Sequence, residues 1–139
     1  KDADIMARTL KVMTRASGIL GMTGGQAYDI KYSGKMKKGA LYTLVNFLKT
    51  GELFVAAIEA GGIAARADAR KISALRGFGK YFGEAFQLRD DILDGENIRA
   101  RSDNRLEKHI VQAKKSLDVF GEKAAGLKLM TDMLKIKGL

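Results

Sequence analysis

Gln87, Asp90, Asp91 and Asp94 stand at i, i+3, i+4 and i+7, so on a helix of 3.6 residues per turn all four share one stripe. In FQLRDDILD, Phe86 to Asp94, three aspartates crowd five positions of an otherwise apolar segment, within a chain of formal net charge +9. Unpaired carboxylates at this spacing repel by about a few tenths of a kcal/mol per pair. They also fall at the C-terminal end of their helix, where the macrodipole disfavours anions. Two readings absorb that cost. The aspartates can be solvated and paired with Arg89 and nearby basic residues. Alternatively they hold Mg²⁺, a hard cation that takes oxygen ligands and completes its shell with water and substrate phosphates. A second group supplies other parts of the same chemistry. Lys49-Thr50-Gly51-Glu52 combines an ammonium, a hydroxyl and, with Thr50 read as an N-cap, a helix start whose free N–H groups favour a phosphate oxygen. Alone, it also reads as an ordinary threonine cap after a solvated lysine. Together, a carboxylate stripe and a phosphate-ready helix start describe a diphosphate site.

These residues need helices to position them. Apolar spacing predicts a helix over residues 2–20, with Ile5, Leu10, Met13 and Ile19 on one face and an aspartate near its N-cap. The glycines of GMTGG either break it or let it pack unusually close, and it continues or restarts over residues 26–30. Residues 31–39 read as a basic connector and residues 40–48 as a short helix. Residues 51–67, dense in Ala and Gly, suit close helix packing. Residues 68–94 form a long helix with Ile72, Leu75, Phe78, Phe82 and Phe86 at near-helical spacing. A polar loop occupies residues 95–104, and residues 106–120 and 122–136 form a closing pair around Gly121.

At 139 residues the chain is one domain or part of one, with enough length for a real core. It has no proline, where average usage is about 5%, is rich in Ala, Leu, Lys and Glu, and so reads as mostly helical. The absence of cysteine excludes disulfides, thiolate catalysis and cysteine zinc sites, and fits a reducing, cytoplasmic setting. A single histidine, His109, excludes a multi-histidine metal site. The longest nearly apolar run, residues 53–65, contains Glu59 and is too short to cross a bilayer, so no transmembrane segment is expected. No signal-peptide pattern opens the sequence, which starts at Lys1. The positive charge asks for an anionic partner. The basic residues are dispersed and not interleaved with aromatics, so nucleic acid is a fallback only.

GMTGGQAYDI, then KTGELFVAAIEAGG, then FGEAFQLRDDILD resemble, in order and approximate spacing, the C-terminal half of the trans-isoprenyl diphosphate synthases. These are the farnesyl and geranylgeranyl diphosphate synthase type of polyprenyl synthetase. The resemblance is close over residues 6–94 and loose over the closing helices. It implies half of an all-α isoprenoid-synthase bundle, a single partial domain over residues 1–139. It also implies a short- or medium-chain prenyltransferase that joins an allylic diphosphate to isopentenyl diphosphate with Mg²⁺ assistance. On that resemblance Asp90 is the principal ligand of this side's Mg²⁺, with Asp91 and Asp94 as outer or water-mediated ligands. Lys49 binds the allylic diphosphate, while Thr50 and Gln87 place oxygen dipoles near it and near the developing cation. Phe86 lies against the isopentenyl unit or in the core. Gln26 lines the cavity and Asp29 orients Lys49.

Two departures accompany the resemblance. The family's first aspartate-rich motif is not in this sequence. In addition, GENIRARSDN replaces the usual loop after Asp94, and no lysine lies between Lys80 and Lys108. Arg99 or Arg101 could stand in, though an arginine fork is not equivalent to a point charge. A split enzyme, an excised fragment, a sequence lacking flexible segments and a degenerate regulatory subunit all fit. The expectation is a chain inactive alone, completed by an N-terminal-half chain or a homo-oligomer, whose helix over residues 51–67 lacks a packing partner. The alternative is a non-catalytic subunit that modulates a complete synthase.

Overall fold

The computed structural model describes residues 2–32, 35, 39–94 and 104–136. All regular structure among the described residues is helical: α1 (Asp2–Ser17), α2 (Met22–Lys31), α3 (Ala40–Asn46), a π-turn (Phe47–Gly51), α4 (Glu52–Ala64), α5 (Ala69–Leu93), α6 (Arg105–Ser116), a 3₁₀ segment (Asp118–Ala124) and α7 (Ala125–Asp132). Most of the expected polar loop, residues 95–103 with Arg99 and Arg101, lies outside the described residues, as does part of the basic connector.

α5 is the central element, packed on α4 along one side and on α6 along the other. Its start is fixed locally: Asp68 caps it, accepting a hydrogen bond from the Lys71 amide at 2.8 Å. Leu75, Phe78, Phe82, Ala85 and Leu88 then recur at helical spacing. With Leu106, Ile110, Ala113 and Leu117 of α6 they form the core, closed by Ala124 and Leu134. Gly121, at φ 56°, breaks the closing segment between the 3₁₀ turn and α7. The expected helix over residues 122–136 is therefore only α7, tied back to α6 by Lys114 and Asp132 at 2.6 Å.

The antiparallel α4–α5 contact is made backbone to backbone. A Cβ on Gly83 would stand 2.8 Å from the Gly51 Cα, and one on Gly79 the same distance from the Val55 Cα. A Cβ on Gly62 would meet the Leu75 and Ile72 side chains at 2.5 and 2.9 Å. An ion pair locks the same interface: buried Glu59 accepts from both Arg76 donors, with Nε at 2.6 Å. α1 covers another face of α4. The expectation that the Ala/Gly-rich helix lacks a partner is thus wrong, because α1 and α5 both pack on it. The apolar surface left open is elsewhere, at Met6 and Leu10 of α1, Leu41 and Leu44 of α3, and Leu129 and Met133 in and after α7.

Another expectation changes. Residues 40–48 and 51–67 are not separate helices: α3, the π-turn and α4 run continuously from Ala40 to Ala64, 25 residues. By length and composition that helix suffices to cross a bilayer, unlike the shorter apolar run seen in the sequence. Core helices of globular domains meet the same criterion, and Lys49 and Glu59 within it pair with Asp29 and Arg76 of neighbouring helices.

The glycine contacts predict opposite outcomes in two helices. Gly83→Ala forces backbone apart and should cost about 1–3 kcal/mol in urea unfolding. Gly61→Ala, which meets nothing within 4 Å, should gain about 0.5–1 kcal/mol through helix propensity. Equal effects at both positions would show that the α4–α5 approach does not depend on a missing side chain.

Candidate active site

The last two turns of α5 carry the carboxylate stripe out of the core, beyond buried Leu88. Gln87 Nε2 donates to Asp91 Oδ1 at 2.9 Å, so the i,i+4 pair is made. Asp94 closes the helix, its backbone N–H donating to the Asp90 carbonyl at 2.9 Å. Burial raises the Asp90 pKa above the ordinary carboxylate value, and the charges of Asp94 and Asp91 push it further up. Arg89 opposes this from 3.7 Å, the separation of its guanidinium from Asp90 Oδ1. A divalent cation would relieve the same strain, and three hard carboxylates match its ligand preference. Among the described residues, however, no three His, Asp or Glu side chains converge into a group able to hold a metal. The stripe fits Mg²⁺ as an open face, whose remaining ligands must come from substrate, water or another segment.

Lys49 and Thr50 lie in the π-turn, and this corrects the expected cap. Thr50 starts no helix. Helical backbone continues on both sides of it, and the Glu52 N–H is bonded to the Phe47 carbonyl, five residues back. The free N–H groups invoked for a phosphate are therefore not at Thr50, and any anion bound here must be held by side chains. The turn is wedged between two glycines. A Cβ on Gly25 of α2 would come within 2.6 Å of the Lys49 nitrogen, while Gly83 abuts Gly51 from α5. π-turns of this kind are frequent at functional sites because the extra residue redirects side chains.

That placement brings Lys49 to Asp29, Nζ to Oδ2 at 2.9 Å, with both side chains about one-third exposed (32% and 37%). Gln26, next to Gly25, is exposed on α2. Phe86 is half-buried, its ring 5.1 Å from that of Phe54, which in turn packs edge-on against Phe82. The Lys49–Asp29 pair and the carboxylate stripe are linked through the π-turn, which packs on both α2 and α5. Along α5, Asp90 is about 10 Å past the Gly51–Gly83 contact.

Sequence reasoning missed the π-turn, the Glu59–Arg76 pair and the Nε of Arg89, which is buried without a hydrogen-bond partner. For the π-turn, the available signal was the set of glycines at Gly25, Gly51 and Gly83, one on each of the segments that meet there.

Comparison with known proteins gives a consistent answer. The polyprenyl synthetase family model matches residues 3–124. The chain is 34% identical over 97 residues to a farnesyl diphosphate synthase of Geobacillus stearothermophilus, covering 70% of this chain and 33% of that protein. It is 32% identical over 149 residues to a farnesyl diphosphate synthase of Bacillus subtilis, covering 95% of this chain and 50% of that one. The apo crystal structure of an FPP/GFPP synthase from Zymomonas mobilis superposes with a TM-score of 0.85 at 29% identity, over 95% of this chain and 51% of its own. The chain thus spans a third to a half of the length of the curated relatives it matches. With its helical fold and its three ordered motifs, the chain belongs to the polyprenyl synthetase family.

Proposed function

We propose that this chain supplies one side of a prenyltransferase active site that condenses an allylic diphosphate with isopentenyl diphosphate. The observation that carries the reading is the carboxylate stripe of Asp90, Asp91 and Asp94, in which burial disfavours the ionised form of Asp90. A protein keeps such a group where a cation repays the cost. Relatives named farnesyl and geranylgeranyl diphosphate synthases support the substrate class.

In this reading Asp90, with Asp91 and Asp94 through water, holds Mg²⁺. The metal, when bound, neutralises charge on the diphosphate leaving group. Lys49 gives its ammonium to a diphosphate oxygen, and Asp29 fixes its direction. The Gln87 amide has its nitrogen on Asp91, which aims the carbonyl end of its dipole away from the carboxylate and toward the developing positive charge. Thr50 adds a second oxygen there. Phe86, braced by Phe54, shields the isopentenyl unit from water, and Gln26 lines the cavity. The absent opposite metal side belongs to an N-terminal half, and the open apolar residues of α1 and α3 are surface for such a partner.

Reconstitution tests this directly. The chain, combined with an N-terminal half, Mg²⁺, isopentenyl diphosphate and an allylic diphosphate, should form elongated prenyl product. Asp90→Ala should lower the rate about a hundredfold or more, and chelation by EDTA should abolish it. A rate indifferent to Asp90→Ala sinks the site assignment. An inactive mixture in which the chain alters a complete synthase's products favours the regulatory alternative.

Stability against pH gives an independent check. A carboxyl whose pKa is raised on folding is harder to ionise in the folded chain than in the unfolded one. Its penalty is absent below the ordinary carboxylate value and grows as pH rises through the raised one. Asp90→Asn should therefore raise the thermal midpoint at neutral pH and leave it unchanged at about pH 3. A gain of equal size at both pH values would show that the effect is not ionisation.

A further inference from the structure

Among the described residues, Arg89 is the cation set among the three aspartates at the end of α5, and its Nε lacks a hydrogen bond. Its side chain is 32% exposed, yet Nε is buried and has no hydrogen-bond partner. Its nearest carboxylate, Asp90 Oδ1, stands 3.7 Å from a terminal guanidinium nitrogen, which is beyond hydrogen-bond length. An arginine that served to lock Asp90 in place would make a paired, bidentate contact, as Arg76 does on Glu59 in the same helix. Arg89 instead neutralises without binding tightly.

We propose that Arg89 is an exchangeable counter-charge, which stands in for the divalent cation beside Asp90 when the metal is absent and gives way when it binds. This inference rests on the metal reading of the stripe. A guanidinium near an arriving dication is repelled by it, so metal affinity carries the cost of displacing Arg89 from Asp90. The loose 3.7 Å contact keeps that cost small, because no hydrogen bond between Arg89 and Asp90 has to break. Arg89 is then a positioning residue that sets how much metal the site needs, and the same charge protects the stripe from self-repulsion between turnovers.

Mn²⁺ binding to the 139-residue chain, followed by the EPR signal of the free ion, reads the exchange without any turnover. It is measured with Mn²⁺ alone and with Mn²⁺ plus inorganic pyrophosphate. Arg89→Gln and Arg89→Met should tighten Mn²⁺ by roughly 3- to 10-fold, and Asp90→Asn should abolish binding. In metal-free buffer, a urea double-mutant cycle between Arg89→Gln and Asp90→Asn should show coupling. Unchanged Mn²⁺ affinity in both Arg89 variants, with Asp90→Asn still abolishing binding, overturns the exchange and leaves the metal site standing. Additive effects in the urea cycle also overturn it. Weaker binding of the Mn²⁺–pyrophosphate pair in the Arg89 variants makes Arg89 an anion ligand and overturns it as well. A parent chain that binds no Mn²⁺ under either condition removes the metal reading and the exchange together.

Discussion

The contact on which the rest of the structure depends is the close approach of the π-turn and α4 to α5 at glycines, where no side chain of the glycine separates the two backbones. Gly83 on Gly51 and Gly79 on Val55 bring two helix backbones to van der Waals distance. That closeness fixes the antiparallel register of the pair and lets Glu59 reach the Arg76 guanidinium. It also leaves α5 free to send its other face, through Phe78, Phe82 and Leu88, into the core shared with α6. The π-turn exists in the same confined space, held by Gly83 on one side and Gly25 on the other. The candidate site residues thus stand on backbone spacing, which tolerates less adjustment than packed side chains do.

Against this rigid pair, the end of α5 carries unrelieved charge. Asp90 is disfavoured by burial and by its own neighbours, and the helix terminus adds a dipole of the wrong sign. Local rules of helix design would place lysine or arginine here. Consistency between local and global preferences is the norm in natural sequences, and departures concentrate at functional sites. The paired residues nearby, Gln87 on Asp91 and Lys49 on Asp29, are the opposite case: each charge has a partner within hydrogen-bond distance that orients it.

Much of this was legible in the residues. The helical spacing of Leu75, Phe78 and Phe82, the Asp68 start of α5 and the stripe at Gln87, Asp90, Asp91 and Asp94 are local periodicities, and the fold keeps them. What could not be read was decided by contacts far apart in sequence. Thr50 carries a strong capping preference, yet packing of α2 and α5 around Gly51 keeps the helix running through it. The same tertiary cause provides partners for the Ala/Gly-rich helix, because α1 lies some fifty residues upstream in the chain. Arg89 looked like a counter-ion to the aspartates by type alone. Only geometry shows that it opposes Asp90 without bonding to it.

The π-turn has a further consequence for how this long helix can change. Adding one residue to a turn rotates everything beyond it by about 100°, so α3 and α4 are two helical segments out of phase by design. Val45 and Asn46 face inward while Leu41 and Leu44 face out. Losing a single residue between Phe47 and Gly51 would bring the two segments into phase and swing Val45 and Asn46 of α3 by about 100° away from the packed side. Chain length within these five residues therefore fixes which face of α3 meets the neighbouring helices.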